Sequence, residues 1–128
     1  MTARTLWLAA ACLGFLGVAL GAFGAHALKE RLIAAGRTET FELAVRYLTY
    51  HALALFAIGF LADRWPGAAV PVAGLLQLAG VLLFSSSLLL LALFEWRGLA
   101  LVTPIGGVLM LAGWALLIYT VASGKQKS

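Results

Sequence analysis

Polar and charged residues are spaced along this chain so that four long apolar runs remain between them, at roughly residues 6–27, 45–62, 70–93 and 104–122. A helix needs about 20 apolar residues to cross a hydrocarbon core about 30 Å thick. A run of that length in lipid must satisfy its own backbone, which only a helix does. The alternating segments of about ten residues that build a membrane barrel are absent. The pattern predicts an all-α polytopic membrane protein: a four-transmembrane-helix antiparallel bundle forming a single domain over residues 1–128.

The connections carry their own signals. Asp63 to Gly67 and Glu95 to Gly98 are turns, each with a tryptophan placed for the membrane interface. Residues 28–44 are longer and predict a short amphipathic helix over 29–35, closed by Gly36. The second long helix should then begin in the interface near Glu39, with Thr38 as its cap, and enter lipid near Tyr47. Thr103-Pro104 reads as a helix start, with the threonine capping and the proline at the first helical position. Arg4, an apolar run and Ala25-His26-Ala27 together look like a secretory signal and its cleavage site. The run is long for a signal, however, and carries small residues at helical spacing, so a retained first helix is expected.

Composition agrees with lipid as the solvent. The chain is 63% hydrophobic and only 11% charged, against about 25% charged in soluble domains. Its net charge is +4, but the nine Lys and Arg are scattered, with no basic stripe of the kind that binds nucleic acid. They read better as topology signals. Four spans place both termini on one side, with Arg4, Arg64, Lys125 and Lys127. The other side holds Lys29, Arg31, Arg37, Arg97 and the interfacial Arg46. The count alone does not decide. Lys125 and Lys127 closely follow the last span, and the expected orientation is a multi-pass inner-membrane protein with cytoplasmic termini. The single cysteine, Cys12, cannot form an intrachain disulfide.

Small residues recur on one face of three of the spans. Ala10, Gly14, Gly17, Gly21 and Gly24 share a face of the first helix, Gly106 and Gly113 flank Met110 in the fourth, and Gly74, Gln77, Gly80, Phe84 and Ser87 form a stripe on the third. Such faces let transmembrane backbones approach closely. Packing inside the bundle is the expected use, and self-association or docking of a partner membrane protein is the alternative.

Polar residues inside a bilayer are costly and ask for a reason. Antiparallel threading brings His26, Tyr47, His51, Ser85, Ser87 and Thr103 towards the side of the first and third loops. Each has an ordinary structural role open to it: serines bond back to their own helix, Tyr47 suits an interface, His26 could cap carbonyls, and Gln77 could make one interhelical hydrogen bond. Their one-sided clustering points instead to a small polar site, with those six residues as its ligand-binding set. The site would take a lipid head group, an amphiphile or a small solute from the surrounding bilayer. No catalytic residue is assigned. The spans hold no acid pair and the chain has no HExxH, GxSxG, P-loop or dinucleotide fingerprint. Two histidines without further donors fall short of a closed zinc site, so no metal or cofactor is expected. A haem- or quinone-binding redox subunit, with His26 and His51 facing one another, is a further alternative.

Several separated segments, in order, resemble one known family: GAFGAHAL at 21–28, Phe41 and Ala44, Tyr47-x-x-x-His51 running on into ALAL, GVLLFSSSL at 80–88, TPIGG at 103–107 and AGW at 112–114. They are similar to the YgdD-like family of small inner-membrane proteins, domain-of-unknown-function family 423, which has a eukaryotic transmembrane relative. The resemblance covers nearly the whole chain and implies an uncleaved four-span membrane protein. Its pattern falls on His26, Tyr47, His51, Ser85, Ser87, Pro104 and Gly107. It implies no activity, substrate or cofactor.

Overall fold

The computed structural model describes residues 1–124, so Lys125 and Lys127 lie outside the described residues. Five α-helices follow one another: α1 (Ala3–Ala25), α2 (Lys29–Ala35), α3 (Thr38–Arg64), α4 (Ala69–Phe94) and α5 (Thr103–Ser123), with a 3-10 helix at Arg97–Leu101 before the last. Four of them are long and apolar enough to cross a membrane, and there is no strand among the described residues. The expected all-α, four-span architecture is therefore what the chain adopts.

Local chemistry sets the helix ends. Thr2 caps α1, its hydroxyl accepting the Thr5 N–H at 3.2 Å. The helix stops at Ala25, two residues short of the apolar run, where the His26 N–H bonds the Ala22 and Phe23 carbonyls and the chain turns. Gly36 closes α2 at φ 66°, a left-handed conformation that suits glycine, and the Arg37 N–H reaches the Leu32 carbonyl at 2.9 Å. Two capping expectations need correction. Thr38 is the first residue of α3, with Arg37 at the cap position and no side-chain cap bond. Thr103 is likewise inside α5, behind Val102. Its hydroxyl is turned to the Ser87 hydroxyl at 2.6 Å, which is why it does not cap. Pro104 does stand in the first turn of α5, as expected.

The long helices pack mainly in chain order: α1 on α3, α3 on α4, α4 on α5. Among the described residues no Cα of α5 comes within 8 Å of one in α1 or α3. The bundle is thus a row with α3 and α4 central, and side chains alone bridge the gap between α3 and α5.

Glycines set the distances in this row. Trp7 of α1 lies over Gly59 of α3, where an added Cβ would overlap the indole, and its Nε1–H donates to the Phe56 carbonyl at 3.2 Å. At the other end Phe41 of α3 lies over Gly24 of α1, where a Cβ would overlap the ring. Between these sockets Gly17 faces Thr49, Gly14 faces Ala52 and Gly21 faces Val45. The glycine face of α1 is therefore covered by α3. Between α4 and α5 the contact is backbone on backbone: a Cβ on Gly106 would stand 2.6 Å from the Gly80 carbonyl oxygen, and one on Gly113 would stand 3.1 Å from that of Ala73.

α2 is held by two side chains. Leu32 is buried with Phe41 and Ala92. Arg31 donates to the Leu93 carbonyl at the end of α4 and lies 5.7 Å from the centre of the Phe94 ring. A cation at a helix C-terminus meets the negative end of the helix dipole.

Candidate functional site

His51 is the centre of the polar architecture. It lies thirteen residues from each end of α3, about 20 Å at 1.5 Å per residue. It is therefore at mid-span and not near the first and third loops, as the sequence suggested. In the hydrocarbon core lipid offers no hydrogen bonds, and a buried polar group must find partners in the protein.

The partners form a directed chain. The Tyr47 carbonyl can only accept, so His51 Nδ1–H donates to it at 2.9 Å. His51 Nε2 is then an acceptor. Gln77, fully buried in α4, supplies the donor: with its amide nitrogen towards His51 Nε2 at 3.1 Å, its oxygen accepts Trp114 Nε1–H of α5 at 3.1 Å. An indole N–H only donates, which sets the orientation of the amide. One hydrogen-bond relay, Trp114 to Gln77 to His51 to Tyr47, thus joins α5, α4 and α3 in the middle of the membrane.

An aromatic frame surrounds the relay. The Tyr47 ring stacks on His51 with centroids 5.9 Å apart and contacts Phe84 at 4.6 Å, while Trp114 presents an edge to His51 at 6.4 Å. These rings wall a groove of about 350 Å³ between α3 and α5, lined also by Gly107, Met110 and Leu111. Gly107 keeps the groove open, since a Cβ there would meet nothing within 4 Å. Its neighbour Gly106 touches α4. One turn of α5 therefore uses two adjacent glycines for opposite purposes.

The other residues singled out from sequence fall into separate places. Ser85 is buried and donates to the Ala44 carbonyl at 2.8 Å, locking α4 to α3. Ser87 bonds the Phe84 carbonyl and the Thr103 hydroxyl, tying α4 to the start of α5. Neither serine nor Thr103 lines the groove. His26 is exposed and borders a shallow hollow beside Ala22, Phe23 and Ala27 on the outside of α1. The turn after Ala25 does not return it to Tyr47 and His51. So only Tyr47 and His51 of the six come together at the groove. His26 and His51 occupy different hollows, and both His51 nitrogens are engaged, which leaves no facing histidine pair for a haem iron. Among the described residues no group of three or more His, Cys, Asp or Glu side chains could hold a metal.

From the sequence Gln77 was given one interhelical hydrogen bond, Phe84 a place on the packing stripe and Trp114 a place in the family pattern, and none of the three was assigned to the site. The available signals were a glutamine on a glycine stripe and a tryptophan at mid-span, away from the interfaces where tryptophan usually collects.

The chain matches the family described as "Protein of unknown function (DUF423)" over residues 20–107. It is 38% identical to the UPF0382 inner membrane protein YgdD of Escherichia coli, over 99% of this chain and 96% of the relative. It is 41% identical to the UPF0382 membrane protein YwdK of Bacillus subtilis, covering 80% and 84% of the two chains. A membrane protein of Staphylococcus haemolyticus, SH2409, is 44% identical over 80% and 83%. No solved structure matches the chain.

Proposed function

Starting from the fact that this chain belongs to the DUF423 family of membrane proteins, whose function is unknown, we propose that it is a non-enzymatic protein that binds an amphiphile in the groove between α3 and α5. The observation that carries this reading is the hollow at Gly107, about 350 Å³ in volume, walled by Tyr47, Phe84 and Trp114 within the membrane-spanning region. That volume is in the range of small-ligand sites, about 300–1,000 Å³. Aromatic faces suit a hydrocarbon chain or a flat ring. In lipid, however, burial alone gives no preference over the bulk acyl chains, so selectivity must come from shape and hydrogen bonding. The relay beneath the groove uses its own donors and acceptors and holds the rings in place. The Tyr47 hydroxyl is spare: its carbonyl serves His51, and its phenol lies at the groove with no other described residue bonded to it. The fitting ligand has an apolar body and one polar group able to bond a phenol.

Native mass spectrometry of protein gently extracted from its membrane tests this. The wild-type chain should carry a bound amphiphile, and Gly107→Leu, which extends into open space, should carry one bound molecule fewer while keeping the wild-type melting temperature. A Gly107→Leu protein that melts like wild type and carries the same bound species in the same number would overturn the reading.

A further inference from the structure

A second hollow lies at the N-terminal end of α3, where α1, α2 and α3 meet. It holds about 310 Å³ and has an apolar floor that includes Gly21, Leu32, Phe41 and Val45. Its rim carries Thr38, Glu42 and Arg46. Leu32 and Arg31 anchor α2 beside it, so the hollow is formed before anything binds.

Depth gives this rim its meaning. α3 has 27 residues, about 40 Å, which matches the bilayer with its head-group layers included. Its first turns therefore lie among head groups. Glu42 is about 6 Å along the helix from Thr38 and Arg46 about 12 Å. Both side chains are exposed and, four residues apart, they project from one face. The cation is thus the deeper charge and the anion the outer one. A phospholipid with an amino head group has the same order: its phosphate is bonded to the glycerol that carries the acyl chains, and its ammonium is at the far end of the head group.

We propose that this hollow is a binding site for an aminophospholipid of the phosphatidylethanolamine type. Arg46 takes the phosphate, Glu42 accepts N–H bonds from the primary ammonium, and the upper acyl chain follows the apolar floor over Gly21, Leu32 and Val45. An ion pair between Glu42 and Arg46 is the competing use of these charges, but an exposed pair at a wet surface is weak. Two charge-assisted contacts from one ligand are stronger. The site is independent of the α3–α5 groove and does not rest on the function proposed for it.

The test uses the full chain in nanodiscs of equal parts phosphatidylethanolamine, phosphatidylcholine and phosphatidylglycerol, released into detergent for native mass spectrometry. Wild type should retain phosphatidylethanolamine over phosphatidylglycerol about tenfold, the factor that one charge-assisted contact gives. Phosphatidylcholine should fall between, because its ammonium is cationic but has no N–H. Glu42→Gln should bring phosphatidylethanolamine down to the level of phosphatidylglycerol. Arg46→Gln should lower retention of all three, and Gly107→Leu should leave the preference intact. Equal retention of the three lipids by wild type, a preference for phosphatidylglycerol, or a phosphatidylethanolamine preference that survives Glu42→Gln would each overturn the proposal.

Discussion

Gln77 shows how much one side chain can organise at mid-membrane. It contacts His51 of α3 and Trp114 of α5 from α4, and α3 and α5 have no close backbone contact of their own. Gln77→Leu keeps the volume but leaves His51 Nε2 and Trp114 Nε1 without their partner. Interhelical hydrogen bonds in lipid are worth about 0.6 kcal/mol on average and about 1.7 at most. The variant should lose roughly 1 kcal/mol in detergent unfolding, read by circular dichroism. A loss of that size would show that the relay contributes to stability as well as to register. Glu95 offers a change in the other direction. It ends α4 at φ 53°, the left-handed region, which costs a non-glycine residue about 1–2 kcal/mol. Glu95→Gly should recover roughly 1 kcal/mol in the same assay. Neither effect was readable from sequence. Gln77 was visible there only as one interhelical hydrogen bond, since its two partners come from helices whose facing sides a single sequence does not specify.

At the scale of helices, adjacent glycines give opposite predictions. A methyl group on Gly106 would stand 2.5 Å from the Phe84 nitrogen and 2.6 Å from the Gly80 oxygen. Both are backbone atoms and cannot step aside as a side chain would. Gly106→Ala should force α4 and α5 apart, at about 1–3 kcal/mol as overpacking usually costs. Gly107→Ala meets open space and removes a residue that disfavours helices by about 1 kcal/mol. It should be neutral or stabilising. Thermal unfolding of the two variants side by side measures the contrast, and a similar loss in both would show that the groove is closed in solution. The small-residue stripes themselves were legible, because spacings of three and four put Gly14, Gly17, Gly21 and Gly24 on one face of any helix. Their partner was not. The sequence left open whether a second copy or α3 covers that face, and in this fold the sockets of Trp7 on Gly59 and Phe41 on Gly24 assign it to α3. The same limit explains Phe84 and Trp114. Whether an aromatic residue in an apolar span faces lipid, fills a helix contact or walls a groove shows only once the neighbouring helices are placed.

At the scale of the whole molecule, the number and type of elements were legible because lipid leaves an apolar run of 20 residues no choice but a helix. Depth was less so. The sequence placed His51 near a membrane boundary by counting from the apolar run, whereas α3 begins seven residues before that run, at Thr38. The wet first turns of α3 are the same turns that carry Glu42 and Arg46. Orientation is the remaining large-scale property, and charge does not decide it by count. Arg4 and Arg64 lie on the side of the termini, while Lys29, Arg31, Arg37 and Arg97 lie opposite. Of these four, Arg31 already serves the end of α4, and in the sequence Lys125 and Lys127 follow the last span. Cytoplasmic termini are therefore the expected arrangement. Cysteine labelling in intact cells tests it, after Cys12, which is exposed on the lipid-facing side of α1, is replaced by serine. Gly98→Cys sits in the third loop with nothing within 4 Å of its side chain. It should react with a membrane-impermeant maleimide added outside. Thr2→Cys and Ser123→Cys should react only after permeabilisation, and should do so together. The reverse pattern would invert the protein in its membrane. Opposite behaviour of Thr2→Cys and Ser123→Cys would contradict four crossings, since an even number of spans must return the chain to the side from which it started.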